Sequence, residues 1–188
     1  MKKILLAVLF CIAIPFSANA QSGNGTLGVE LGLNLPMSPT GFKNGYKAGF
    51  NLGALYTKPL SELFSIGGEA NYSTFSADLP SGYSGGSLSF FTLGAFVKAA
   101  DNYSTSQISP YGRAGLGVNF ASVSDLTYPG GRLTFTGENG LAILLGAGVD
   151  IKMQNAHKVS FELSYRVNNT ASDSFNGLFI DAGYHFGL

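Results

Sequence analysis

Glu30, Glu69, Arg113, Glu162, Arg166 and Asp181 are the side chains whose types invite chemistry as a set: four carboxylates and two guanidiniums, each embedded among apolar residues. Carboxylates and guanidiniums make strong, often bidentate, charge-assisted hydrogen bonds. Withdrawn from water, such a set either neutralises itself as a structural network or lines a path for protons or ions. The two histidines are the other candidates. A serine nucleophile needs a histidine within hydrogen-bond reach and an acid to orient it. His157 is followed by Lys158 and Val159, and His185 by Phe186 and Gly187, so neither stands two residues ahead of a serine. Two distant histidines cannot supply a usual metal-ligand set. The glycines form neither GxGxxG nor GxxxxGK ahead of a helix, which leaves nucleotide binding without support. No catalytic, cofactor or metal residues are therefore expected, and the six charges read first as a structural network.

Those charges are positioned by strands. Apolar residues alternate with polar ones over eight segments of about ten residues, and no helical period persists. The segments are Thr26 to Leu35, Tyr46 to Tyr56, Phe64 to Tyr72, Phe91 to Lys98, Ile108 to Phe120, Leu141 to Lys152, Lys158 to Val167 and Leu178 to Leu188. Eleven charges fall inside them: Glu30, Lys47, Glu69, Lys98, Arg113, Asp150, Lys152, Lys158, Glu162, Arg166 and Asp181. All lie opposite the aliphatic face, which equal odds for each would produce roughly once in two thousand. Twelve segment glycines share the charged face, and only Gly68 and Gly112 lie on the other. The polar face is thus the crowded one, as in a narrow cylinder of eight strands, where missing Cβ atoms make room. Polar inside and apolar outside is the arrangement of a barrel in lipid.

Counted from one strand end, Glu30 is four residues up, Glu69 five, Arg113 five and Glu162 four. At 3.3 Å per residue they share a level about 13 to 17 Å into the barrel, where Arg113 could bridge carboxylates across the lumen. Arg166 is expected beside Asp181 on the neighbouring strand. His185 is expected as a lumen histidine near Glu30. Outward Tyr56, Phe64, Tyr184 and Phe186 at one end, and Tyr46, Tyr72, Phe91 and Phe120 at the other, read as interfacial girdles.

Composition points the same way. The 188 residues carry 11 basic and 11 acidic side chains, so no net field favours nucleic acid. Only 12% are charged, against 26 glycines and 45% apolar residues. Lys2 and Lys3 precede the apolar run Ile4 to Ile14, and Ser17 to Ala20 follow with small residues suited to a signal peptidase. An 11-residue run is too short to span a bilayer as a helix. Residues 1–20 are expected as a signal peptide and 21–188 as the barrel domain. Cleavage would remove Cys11, the single cysteine, and with it any disulfide. Connections at one end are short (58–63, 99–107 and 153–157). The opposite end carries Pro36 to Gly45, Thr74 to Ser87, Ala121 to Gly140 and Asn168 to Gly177, and the third of these is expected to extend its hairpin beyond the bilayer.

Two passages carry a family resemblance. Ser109-Pro110-Tyr111-Gly112-Arg113-Ala114-Gly115-Leu116-Gly117 resembles the PY-x-x-AGxG strand of the small eight-stranded outer-membrane barrels, the OmpA transmembrane-domain, OmpX and OmpW-like group. Ile180, Ala182, Tyr184, Phe186 and Leu188 are similar to its C-terminal insertion signal, with Leu188 where Phe is usual. The resemblance implies an all-β fold, an eight-stranded antiparallel up-and-down transmembrane β-barrel in the outer membrane of a Gram-negative envelope. It also implies outer-membrane lipid and lipopolysaccharide as surroundings, and the barrel-insertion machinery as a partner of the last strand. No peptidoglycan-binding segment follows the barrel, so the anchoring role of full-length OmpA proteins is not expected. The sequence identifies no surface partner. Three functions stay open: a non-enzymatic barrel with a plugged lumen serving envelope integrity or surface interaction, a narrow porin-like or OmpW-like conduit, and a lipid A-modifying enzyme.

Overall fold

A computed structural model describes residues 25–103, 105–153 and 157–188; the expected signal peptide lies outside them. Eight long strands pair antiparallel: β1 (Thr26–Ser38), β2 (Gly49–Pro59), β3 (Phe64–Phe75), β5 (Leu88–Ala100), β6 (Ile108–Val123), β9 (Glu138–Lys152), β10 (Lys158–Asn169) and β11 (Ser174–Gly187). They close a barrel in the order β1-β11-β10-β9-β6-β5-β3-β2. Every barrel neighbour except the closing pair is the next long strand in sequence, so the topology is up and down. Hydrogen-bonded partners followed round from Thr26 pass through Thr57, Gly67, Phe96, Gly115, Leu144, Arg166 and Gly177 and return to β1 at Pro36. The return point is ten residues up the strand. That stagger tilts the strands by about 40° to the barrel axis, as closure of eight strands requires.

The alternation becomes an inside and an outside. Leu31, Leu116, Leu141 and Leu145 are 61 to 68% exposed on the outer face. Glu30, Asn34, Arg113, Asp150, Glu162, Arg166 and Asp181 are buried within. In water this would place the aliphatic surface wrongly; in hydrocarbon it is the stable side. Glycine makes the interior possible at two close approaches. A Cβ on Gly32 would lie 2.0 Å from Asp181 Oδ1, and one on Gly67 would lie 2.2 Å from the Phe96 ring.

The end with the longer connections differs from expectation in five ways. The link after β1 forms a short helix, α1 (Thr40–Gly45), of which Phe42 alone is buried. As a result β2 begins at Gly49, not Tyr46. Lys47 is exposed and pairs with Asp78 at 3.0 Å instead of facing the lumen. Tyr46 leaves the outer girdle and packs on Phe42, ring centroids 5.4 Å apart. The hairpin of β7 (Leu126–Tyr128) and β8 (Gly131–Leu133) does not prolong β6 and β9. It joins β4 (Ser84–Gly85) from the preceding loop in a separate three-stranded sheet. The last connection is shorter than expected, because β10 and β11 pair as far as Asn169 and Ser174.

Below α1 lies an aromatic plug. Phe42, Phe75, Leu88, Phe90, Ala121 and Phe179 are buried together, with Tyr46, Val123 and Phe175 against them. Phe42 meets Phe75 edge to face at 4.8 Å and Phe175 at 5.3 Å, favourable aromatic geometry.

Candidate functional site

Beneath the plug the lumen is polar, and its charges meet at two levels. The upper level centres on Arg113, which β6 carries inward at 3% exposure. Its Nη2 donates to Glu162 Oε1 at 2.6 Å and lies 3.4 Å from Glu30 Oε2, and its Nη1 lies 3.7 Å from Glu69 Oε2. One guanidinium thus touches carboxylates from β1, β3 and β10, which do not adjoin β6 in the barrel. Arg166 Nη1 donates to the other oxygen of Glu69 at 3.3 Å. The rings of Phe96 and Phe179 pack against the two guanidiniums, at 5.2 and 5.0 Å from Cζ to centroid.

Asp181 stands apart from this set. It is level with Glu162 in the β10–β11 register, whereas Arg166 is level with Gly177. Four residues of strand, roughly 13 Å, separate Arg166 from the position facing Asp181, so the expected Arg166–Asp181 pair does not form. Asp181 Oδ1 instead accepts from Asn51 Nδ2 at 2.7 Å, past the gap left by Gly32.

A second level, nearer the chain termini, was not recognised as a set from sequence. Lys98 Nζ donates to both oxygens of Asp150 at 2.9 and 2.8 Å, with Lys158 Nζ 3.7 Å from the same carboxylate. Lys98 also lies 3.6 Å from the Tyr111 ring centroid, and the Tyr111 hydroxyl donates to Glu162 Oε2 at 2.9 Å, tying the two levels together. The available signal was inward parity; partner choice depended on the register.

His185 lies in the lumen at this level. Its Nε2 is 2.8 Å from Ser160 Oγ, a serine–histidine contact that sequence spacing concealed because the residues come from β10 and β11. A Cβ on Gly28 would fall 2.5 Å from His185 Nδ1, so the ring packs closely over the glycine backbone of β1. Glu30 Cγ, Ser160 Oγ and His185 Nε2 crowd one point over Gly183, 2.9, 2.6 and 3.2 Å from where a Cβ would stand, and the Glu30 carboxylate turns to Arg113. Ser160 is 1% exposed. The contact is thus a buried hydrogen bond enclosed by the strands. Among the described residues, no group of three or more His, Cys, Asp or Glu side chains is arranged to hold a metal.

The outer surface carries the remaining sequence candidates. Phe64, Tyr184 and Phe186 face outward near the chain termini, and His157 stacks on Tyr184 at 5.7 Å. Tyr72, Phe91 and Phe120 face outward toward the loop end.

The profile of the outer membrane protein beta-barrel domain matches residues 4–186. Among solved structures, Neisserial surface protein A superposes with a TM-score of 0.64 at 13% identity, covering 87% of this chain and 97% of that one. Ail, the attachment invasion locus protein of Yersinia pestis, gives 0.53 at 15% identity, covering 88% and 100%. The N-terminal barrel of Pseudomonas aeruginosa OprF gives 0.50 at 11% identity, covering 88% and 100%. At these identities the likeness is one of fold. No curated protein matches by sequence. With closed eight-stranded topology, lipid-facing aliphatic surface and a family match along nearly its whole length, the chain belongs to the outer membrane protein beta-barrel domain family and is a small eight-stranded barrel of the outer membrane.

Proposed function

We propose that this protein is a non-enzymatic barrel whose lumen is plugged by its own side chains, and that it serves envelope integrity or surface interaction through its loops. The observation that carries this reading is the Arg113 level, where one guanidinium draws together carboxylates from three other strands. The aromatic plug adds to it. A cavity beside Glu69, Thr92 and Arg166 measures about 10 Å³, at or below the least that one water needs. The Ser160–His185 contact does not favour lipid A hydrolysis, since it is enclosed by the strands.

Loop surface is the part left to meet other molecules. The β4-β7-β8 sheet stacks Tyr83 on Tyr128 at 6.2 Å, and Arg132 pairs with Asp125 on it. Lipid and lipopolysaccharide would surround the aliphatic belt, and the final strand would be the segment read by the insertion machinery. Residues 21–188 would be the mature protein.

Planar-bilayer recording of the purified barrel is the test, paired with mass spectrometry of lipid A from cells with and without the gene. The reading expects no discrete conductance steps and identical lipid A. Reproducible unitary currents would favour a conduit, and a gene-dependent loss or gain of an acyl chain would establish an enzyme.

A further inference from the structure

The lumen level nearer the chain termini is short of negative charge. By alternation, the inward faces of the strands there carry Lys98, Asp150, Lys152 and Lys158, three ammonium groups to one carboxylate and so an excess of two positive charges. Lys98 Nζ donates to both oxygens of Asp150, at 2.9 and 2.8 Å, and Lys158 Nζ lies 3.7 Å from the same carboxylate. The next carboxylates up the bore are engaged elsewhere. Glu162 accepts from Arg113 on Oε1 and from the Tyr111 hydroxyl on Oε2, and Glu30 is turned to Arg113. Glu62 and Asp101, at the same end, are exposed on the connections and not on the inward faces of strands.

Register concentrates the excess. Lys152 on β9 stands directly opposite Lys158 on β10. Residues so opposed have Cβ atoms about 5 Å apart, and like charges in that position repel. Folding thus holds two ammonium groups side by side against their repulsion, a cost that one multivalent anion shared between them would offset. Each ammonium offers three donors and no acceptor, so the pair suits an oxyanion with oxygens for both. Phosphate near neutral pH carries a charge of about −1.5 to −2, the complement of the excess.

The position of the pair selects the source. Lys152 is the last residue of β9 and Lys158 the first of β10, so the pair stands at the mouth and needs no opening of the bore. Both are half-buried, whereas Lys98, deeper in, is 9% exposed. The barrel wall lies between these inward side chains and the surrounding lipid, which favours an anion carried in water over a lipid headgroup. We propose that Lys152 and Lys158 form a binding site for a phosphate-class oxyanion, taken from the water on the side of the chain termini. The site goes beyond the plugged-lumen reading and stands whether or not the bore conducts.

The test is a titration of the mature barrel, in uncharged detergent micelles near neutral pH, with inorganic phosphate, sodium chloride being lowered in step to hold the ionic strength. Backbone amide NMR reads the result. Saturable shifts around Asp150, Lys152 and Lys158 are expected, with the surroundings of Lys47 at the opposite end unmoved. Lys152→Gln and Lys158→Gln should each weaken binding roughly tenfold, the scale of one lost charge-assisted contact. A ligand of the folded state stabilises it, so phosphate should also raise the wild-type urea midpoint above its value in chloride, and raise that of the double variant less. Shifts that climb without saturating, or that persist undiminished in the double variant, would overturn the site. Should the double variant not fold, as judged by loss of its heat-dependent gel shift, the unaltered barrel decides, since saturation at any other place overturns the assignment. Repeating the titration in nanodiscs containing phosphatidylglycerol separates the sources: phosphate should still produce the same shifts, and a pair already occupied by lipid, to which phosphate adds nothing, would overturn the water-borne assignment.

Discussion

Arg113 shows what a single residue does in this lumen. Its three carboxylate partners come from strands that it does not adjoin, and all four groups are at most 9% exposed at the side chain. Removing the cation from such a set leaves charges buried without compensation, which typically costs about 3 to 5 kcal/mol. Arg113→Leu should therefore lower the urea midpoint of the barrel refolded in detergent micelles. Arg166 can retain Glu69, at 3.3 Å, but is not in contact with Glu30 or Glu162, so its compensation should be incomplete. Matching midpoints and slopes for wild type and Arg113→Leu would mean that the level is hydrated and energetically minor. The meeting of Glu30, Glu69, Arg113 and Glu162 was legible because each count of residues up a strand is a height. Arg166 was misread because its partner lies across the lumen, where strand tilt and register decide, and a linear sequence displays neither.

At the scale of elements, the eight strands and their faces were legible because lipid outside and a crowded lumen inside impose opposite demands on alternate residues. The α1 turn was not. Thr40–Gly45 has two glycines and no apolar period, and it is the insertion of Phe42 among Phe75 and Phe175 that selects its conformation. The inward rings of Phe90, Phe96 and Phe179 break the rule of a polar interior, and Phe90 and Phe96 leave the faces of the fourth segment without a clean alternation. The β4-β7-β8 sheet joins two loops and has no local signature. Face assignment is open to direct test. Leu145, 66% exposed to the lipid side, should tolerate arginine poorly, at a cost of roughly 2 to 4 kcal/mol near the bilayer midplane. Gly146 faces inward, and from parity alone Gly146→Ser would be the milder change. The interior corrects this: a Cβ there would lie 2.8 Å from Glu162 Oε1 and 2.9 Å from Ser164 Cβ. Gly53 is the better inward control, because its nearest neighbour is the movable Asn71 Nδ2 at 3.1 Å. Urea midpoints should fall clearly for Leu145→Arg and Gly146→Ser and least for Gly53→Ser; a Leu145→Arg barrel as stable as wild type would mean the faces are reversed.

For the whole molecule, architecture and compartment follow from one physical requirement. Inside a bilayer every backbone N–H and C=O must be satisfied within the protein, and a closed ladder from β1 round to β11 achieves that with strands alone. None of the described helices is long and apolar enough to cross a membrane. The same closure makes the fold compact and slow to yield to detergent, so its intact form should run differently from the unfolded chain. The most direct test of the account is cell fractionation followed by SDS gels of boiled and unboiled samples, with intact mass measured on the same material. The account predicts recovery in the outer membrane, a mobility change on boiling, and a mature chain beginning at Gln21. Recovery as a soluble periplasmic protein with one mobility, boiled or not, would contradict it.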